Sequence, residues 1–171
     1  KYHNDHYIAP KTVVIVSGMI EHNNIVGKIK KLFELIGKTK GKDKVPTKES
    51  QKNPEVKVFY KKTDQTHIAL GARSYNIFDK RRYAADVLAT ILGGGMSSRL
   101  FQLLRDKMGA AYYVRTVGDE STDTGNLATW AGIDNRRTEE IIKAILNEYK
   151  KIKDVKVNAA ELTKAKEHLE G

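Results

Sequence analysis

The sequence predicts an α+β fold in which helices pack on one face of a mainly antiparallel sheet. Runs of β-branched or alternating apolar residues occupy different segments from runs with helical spacing. Two β-prone segments flank a short polar stretch, 118–125, which indicates an antiparallel hairpin. The segments follow the order strand-helix, strand-strand, helix-helix, strand-strand, helix-helix, and this order favours the α+β class.

The first third of the chain is expected to contain one strand, one helix and a linker. The β-branched run 12–16 predicts a buried strand. Apolar residues between 25 and 36 recur on one helical face, and Gly37 is predicted to end that helix. The lysine-rich segment 38–55 is interpreted as a basic internal linker.

Two strands and a helix are predicted next. Alternating apolar and polar residues predict a half-buried strand over 56–61, and 66–72 predicts a second strand. A helix then runs from Asp79 to a group of glycines. His67 could be a metal ligand, a general base, or a packed or hydrogen-bonded residue. The last interpretation is favoured, because no other His, Cys or acidic cluster is near it in the sequence.

The most informative stretch has three consecutive glycines between two helical patterns. These are Gly93, Gly94 and Gly95. They are predicted to end the first helix and to adopt backbone angles that a side chain would forbid. One of the two serines that follow caps a second helix, which Gly109 ends in the left-handed conformation. β-Prone residues come next, so a strand is predicted over 111–117.

Arg105 and Tyr112 are the candidate functional residues of this stretch. They are seven residues apart, one in the last helical turn and one early in the strand, so both can reach the same space. A guanidinium and a tyrosine hydroxyl aimed at a peptide carbonyl would donate hydrogen bonds as its oxygen gains negative charge. Spacing alone would instead favour an ion pair for Arg105 and a core position for Tyr112.

The last third is predicted to contain a strand and two helices. Residues 126–133 form the second arm of the hairpin and include the only tryptophan, Trp130. The acidic turn before this strand lacks the spacing of a calcium-binding loop and is interpreted as solvated. Thr138 is predicted to cap the next helix, and Asn158 with Glu161 resembles a capping box for the final one.

Length, composition and charge limit the functional classes. The 171 residues suffice for a single domain, and the absence of cysteine excludes disulfides and thiolate metal sites. No apolar run approaches the roughly 18 residues needed to span a bilayer, so no membrane partner is expected. With no visible leader, a cytoplasmic location is predicted. The net charge of +10 suggests nucleic acid, but linker lysines without interleaved aromatics favour a solvated segment, so no nucleic-acid partner is expected.

The glycine-rich stretch resembles the signature of the second domain of the pitrilysin and mitochondrial-processing-peptidase family, whose zinc motif is the inverted HxxEH. The matching strings are Gly-Gly-Gly-Met-Ser-Ser-Arg-Leu-Phe-Gln, then Leu-Arg, then Gly-x-Ala-Tyr-x-Val. Ala110 stands where the family usually has leucine. The resemblance covers nearly all of 1–171 and implies a LuxS/processing-peptidase-like metallopeptidase fold. It implies the second, non-zinc-binding domain, with the last strand and helix of the first.

The resemblance also implies a function. It places Arg105 and Tyr112 where the family holds the substrate backbone at the zinc site of the opposite half, and so reverses the preference from spacing. The implied partners are an unfolded peptide and a zinc-bearing domain, in cis or in the second subunit of a homo- or heterodimer. Zinc is expected in the complete protein and not in this chain, because none of its five histidines lies in an HxxEH motif.

The expected function is therefore that of a fragment of a zinc-dependent endopeptidase. By this resemblance the chain supplies the substrate-holding pair and part of the chamber wall, and it is inactive alone. The alternative is a non-catalytic partner or assembly subunit of such a complex.

Overall fold

A computed structural model describes residues 2–37 and 42–171 of the chain. The chain divides into two compact units, Lys1–Pro46 and Thr47–Gly171. The boundary lies within the predicted linker, of which residues 38–41 fall outside the described part. No helix in the described residues is both long and apolar enough to cross a lipid bilayer.

The first unit contains short helical elements with mostly exposed side chains. Helix α1 spans Tyr2–His6, a 3₁₀ turn spans Ala9–Lys11, and helix α2 spans His22–Leu32. The predicted helix is confirmed, but it begins earlier because Glu21 caps it, and it ends at Leu32, before the predicted end at Gly37. The Glu21 carboxylate accepts hydrogen bonds from the backbone N–H groups of the second and third residues that follow, at 3.2 and 2.8 Å.

The structure contradicts two of the strand predictions. Residues 12–16 and 56–61 belong to no helix or strand, and their apolar side chains are largely exposed. Ile15 is 86% exposed and Phe59 is 90% exposed. Such residues favour extended backbone, but a strand also needs a neighbouring backbone to pair with. None of the strands in the described part of the chain pairs with either segment.

The second unit is built on a three-stranded antiparallel sheet. Strand β1 spans Gln65–Ser74, β2 spans Ala111–Glu120 and β3 spans Gly125–Asp134. The spatial order is β1-β3-β2, so β3 is central and pairs with both neighbours. The predicted hairpin is confirmed, and β2 continues three residues beyond its predicted end, which shortens the turn to 121–124.

Four helices complete this unit. Helix α3 spans Arg82–Gly93, and α4 spans Arg99–Phe101 and continues as a π-helical segment, Gln102–Lys107. Helices α5 and α6 span Thr138–Asp154 and Ala159–Glu170. The fully buried core contains Leu92, Leu100, Leu104, Ala131, Ile133, Ile141 and Ile145. These side chains join the helices to one face of the sheet, which confirms the predicted α+β class.

The helix ends follow the sequence signals in part. Gly109 has a φ of +56°, the predicted left-handed conformation, and Asn158 Oδ1 accepts a hydrogen bond from Glu161 N at 2.9 Å. Thr138 does not cap α5 but is its first residue.

The Glu161 carboxylate binds both Nε and Nη2 of Arg99, each at 2.7 Å, and this bidentate contact joins α4 to α6.

A chain of buried hydroxyl groups connects the three strands to α5. Thr116 Oγ1 on β2 lies 2.7 Å from Thr129 Oγ1 on β3, which lies 2.5 Å from Tyr149 OH on α5. Tyr149 OH donates in turn to the Leu70 carbonyl on β1 at 3.4 Å. Burial raises the pKa of the Tyr149 hydroxyl.

Thr129→Val is expected to lower the free energy of unfolding by about 1–3 kcal/mol. The substitution keeps the side-chain shape but deprives the Thr116 and Tyr149 hydroxyl groups of their shared partner in the core. Urea denaturation would measure the change. Thr163→Val, on the exposed side of α6, is the matched control and should unfold at nearly the wild-type midpoint. An unchanged midpoint for Thr129→Val would contradict the prediction.

Candidate functional site

The two predicted site residues lie side by side. Arg105 Nη1 donates a hydrogen bond to the Tyr112 carbonyl oxygen at 3.3 Å, and the guanidinium lies 5.2 Å from the centroid of the Phe101 ring. Tyr112 is 58% exposed, and no carboxylate of the described residues pairs with Arg105. The expectations from spacing alone, an ion pair and a core tyrosine, are therefore wrong.

A β-bulge at the start of β2 exposes two successive tyrosines. The register against β3 shifts between Ala111 and Tyr113, so that Tyr112 is the extra residue. Ala111 and Val114 are buried, whereas both tyrosines between them are exposed. Strict alternation would have placed Tyr112 on the same face as Val114. The bulge therefore removes Tyr112 from the buried face and gives its side chain a new direction.

Arg105 lies in the π-helical segment that follows α4. Met108 N bonds to Leu103 O at 3.0 Å, five residues back, where an α-helix would bond four residues back. The wider turn rotates the side chains that follow it relative to an α-helical register, and such segments are frequent at functional sites. The sequence predicted a helix here, but its periodicity did not distinguish a π-helical turn from an α-helical one.

Gly93 and Gly94 serve close packing, whereas Gly95 does not, and the predicted unusual backbone angles are wrong. None of them has a positive φ, and Gly94 has φ −79° and ψ −7°. A Cβ on Gly93 would overlap the backbone nitrogen and Oγ1 of Thr116 and would lie 2.9 Å from its Cβ. A Cβ on Gly95 would have no neighbour within 4 Å. Gly93 therefore lets the end of α3 lie directly against β2.

His67 is hydrogen-bonded, as the favoured interpretation predicts. Its Nδ1 lies 3.1 Å from Tyr113 OH, and the two rings are stacked with centroids 6.0 Å apart. Sequence reasoning did not find this contact, because the two residues are 46 positions apart and only the pairing of both strands with β3 brings them together.

Two carboxyl groups converge over Gly118 in β2. A Cβ on Gly118 would lie 2.7 Å from Glu120 Oε1 and 3.3 Å from Asp86 Oδ1. Glu120 Oε1 is buried, and no donor in the described residues reaches it. Burial raises the pKa of Glu120 above its ordinary value of 4.5, and the negative charge of Asp86 raises this pKa further, against the opposing charge of Arg82. A proton shared between the two carboxyl groups would supply the missing donor.

Glu120→Gln is expected to stabilise the protein increasingly as the pH rises. Because the folded pKa of Glu120 is raised, its contribution to stability is complete below the unfolded pKa and is lost as the pH rises through the folded pKa. Glutamine stays neutral and can donate to Asp86. The urea concentration at which half of the variant is unfolded should therefore exceed that of the wild type by a growing margin between about pH 4 and pH 8. The exposed variant Glu139→Gln is the control, and a pH-independent difference for Glu120→Gln would contradict the shared proton.

A family model described as the peptidase M16 inactive domain matches residues 1–169. The chain belongs to this family. The match confirms the resemblance found in the glycine-rich stretch, since this M16 domain carries the whole ordered string. It also agrees with the fold, in which the string forms the end of α3, α4 with its π-helical segment, and the start of β2.

Relatives of the M16 domain carry names of zinc proteases. An uncharacterized zinc protease of Streptomyces coelicolor is 30% identical over 177 residues, an alignment that covers 100% of this chain and 39% of the relative. An uncharacterized zinc protease of Rickettsia felis is 32% identical over 165 residues, covering 96% of this chain and 39% of the relative. The chain thus spans well under half the length of these relatives.

Solved structures share the fold. A protease from Helicobacter pylori superposes with a TM-score of 0.73 at 25% identity, over 99% of this chain and 42% of that one. A peptidase M16 inactive domain from Pseudomonas fluorescens gives a TM-score of 0.70 at 19% identity, over 89% of this chain and 37% of that one. At that identity the second similarity supports the fold alone.

Proposed function

We propose that this M16 domain is the substrate-holding part of a zinc-dependent endopeptidase, in which Arg105 and Tyr112 bind the peptide backbone. The observation that carries the proposal is the exposed pair itself, joined at 3.3 Å beside the bulge of β2. The Tyr112 hydroxyl has no hydrogen-bond partner among the described residues, and Arg105 uses only Nη1. Both side chains therefore have donors free for a ligand.

The pair can stabilise charge that develops on a peptide carbonyl. When a nucleophile attacks the carbonyl carbon, the oxygen becomes negative, and donors already in place lower the barrier without reorganising. The Phe101 ring and the Tyr112 carbonyl fix the guanidinium, so its remaining N–H groups point in defined directions. The Tyr112 hydroxyl would add a second donor from a strand whose position is fixed by pairing with β3.

The residues that the structure describes do not fit a zinc site. Among residues 2–37 and 42–171, no three His, Asp or Glu side chains lie close enough together to hold a metal ion. We place the zinc in a part of the complete protein outside this chain, or in a partner subunit, and the names of the relatives support its presence there. This chain would then bind and orient the peptide as part of a chamber wall. A dimer and a cytoplasmic location stay predictions.

Peptide cleavage by the complete protein tests the proposal. The parent reading frame should contain HxxEH, and the purified protein should cleave an internally quenched peptide and lose this activity with a chelator. Arg105→Lys, which keeps the charge but not the forked geometry, should lower turnover. Cleavage that resists the chelator, or a zinc-loaded protein that cleaves no peptide, would contradict the proposal.

A non-catalytic partner subunit is the second candidate. The lack of a metal cluster in the described residues and the description of the family as an inactive domain are as compatible with this candidate as with the first. In that case the complete protein would lack HxxEH and would be inactive alone. It would stimulate cleavage when mixed with a zinc-bearing subunit, and Tyr112→Phe would abolish this stimulation.

A further inference from the structure

The face of the sheet opposite its helices forms a groove that is open at the Tyr113 end, while residues 48–54 lie beside its other end, near Gly71 and Arg73. Residues from β1, β3 and β2 meet there in four rows. The rows are His67–Gly132–Tyr113, Ala69–Trp130–Arg115, Gly71–Ala128–Val117 and Arg73–Asn126–Asp119. A cavity of about 820 Å³ lies against β2 and β3, lined in part by Tyr113, Arg115 and Trp130. The groove is deep beside these bulky side chains because the neighbouring positions on β1 and β3 are glycine or alanine.

Tyr113 is held in place without a ligand. Its ring lies across Gly132, where an added Cβ would be 2.5 Å from Cε1 of the tyrosine. The hydroxyl is fixed by His67 Nδ1 at 3.1 Å. A rigid aromatic wall loses little conformational freedom when a ligand binds, which favours affinity. The first row therefore has the properties of a preorganised binding surface.

Trp130 is the second aromatic element of the groove. It lies on the central strand and is 49% exposed, although the other face of the same strand forms the core. Trp, Tyr and Arg dominate the binding energy of protein interfaces, and all three occur side by side in these rows. An exposed tryptophan in the middle of a sheet, flanked by Arg115, indicates a surface that binds a partner.

The charges of the groove favour an acidic ligand. Arg115 has no carboxylate partner in the described part of the chain. Arg73 is paired with Glu49 at 3.3 Å, and the Asp119 carboxylate accepts a hydrogen bond from Asn126 at 3.5 Å. Asp119 lies four residues beyond Arg115 on β2, about 13 Å away. The end of the groove nearest Tyr113 is therefore positive.

We propose that this groove binds an extended segment of the peptide substrate, with an acidic side chain against Arg115 and an apolar or aromatic side chain on Trp130. The inference rests on the proposed function, because Tyr112 is the second residue of the same strand. Arg115 is three residues from Tyr112, which corresponds to about 10 Å of extended chain. The substrate class is thus peptides with an acidic residue about three positions from the carbonyl held by Arg105 and Tyr112.

Binding can be tested separately from cleavage. The complete protein, kept inactive with a chelator, would be titrated into three labelled peptides that differ only in Glu, Gln or Lys at one position, and anisotropy would give each Kd. We expect about fivefold tighter binding of the Glu peptide than of the Gln peptide. Arg115→Glu should reverse the preference toward the Lys peptide. Trp130→Ala should weaken all three while keeping their order.

The controls separate this inference from the proposed function. Lys150→Glu reverses an exposed charge on α5 and should leave the peptide preference unchanged. Equal Kd values for the three peptides, or an unchanged preference in Arg115→Glu, would overturn the proposal that the groove binds an acidic peptide segment. Chelator-sensitive cleavage that Tyr112→Phe slows would still support the proposed function. A dimer that Arg115→Glu dissociates, with no peptide preference, would assign the groove to a second copy and also overturn the inference.

Discussion

Tyr112→Phe is expected to lower kcat of the complete protein about 10²- to 10³-fold while its zinc content is unchanged. The substitution removes one hydroxyl, and this hydroxyl has no partner among the described residues, so the fold loses no hydrogen bond. The ring is 58% exposed and packs in no core, so stability should also be preserved. A loss of this size would come from a donor that acts in the transition state, and kcat should fall more than KM changes.

The matched control for this experiment is Tyr83→Phe. Tyr83 is an exposed tyrosine on α3 whose hydroxyl accepts a hydrogen bond from Arg82 at 3.0 Å. Its variant should cleave at nearly the wild-type rate, so that the difference between the two variants reports the position of the hydroxyl and not its removal. Turnover of Tyr112→Phe within a few-fold of the wild type would exclude Tyr112 from the substrate-holding role.

Gly93→Ala is expected to destabilise the fold by about 1–3 kcal/mol or more. The added methyl would overlap the backbone nitrogen and Oγ1 of Thr116, and backbone cannot move aside as a flexible side chain can. Thr116 also begins the buried hydroxyl chain, so a shift of β2 would disturb its contact with Thr129. The free energy of unfolding from urea denaturation would measure the effect.

Gly95→Ala provides the comparison within the same glycine triplet. A Cβ there meets no atom within 4 Å, and Gly95 does not have a positive φ. The alanine should be neutral or should stabilise by about 0.4–1 kcal/mol, since it restricts the unfolded chain. If both alanine variants unfolded at the same denaturant concentration, the close approach of α3 to β2 would not explain why glycine stands at 93.

The sequence predicted those elements whose signals are local. The hairpin of β2 and β3, the left-handed Gly109 and the cap at Asn158 each depend on residues close together in the chain. The strands at 12–16 and 56–61 failed for the converse reason. Side-chain preference for extended backbone is local, whereas pairing depends on segments far away in sequence.

The sequence led us to expect Arg105 and Tyr112 close together, but it did not predict the geometry of their contact, and their role stays a prediction. Spacing and resemblance pointed to Arg105 and Tyr112, and the structure places them in contact through a backbone carbonyl. Neither the π-helical segment nor the bulge has a residue pattern of its own, because both arise from hydrogen bonds that skip a position. Contacts between strands, such as His67 with Tyr113, require the register, which the sequence alone did not provide.

The bulge in β2 requires a fixed number of residues at this point of the strand, whatever their side chains are. From Ala111 to Tyr113, β2 must contain one residue more than the strand it pairs with. A substitution at Tyr112 preserves this count, but deleting one residue would close the ladder and leave one tyrosine where the structure displays two. Homologous chains could therefore vary in composition here more readily than in length, and a gap at this point would predict a chain that still folds but lacks the peptide binding proposed for Tyr112.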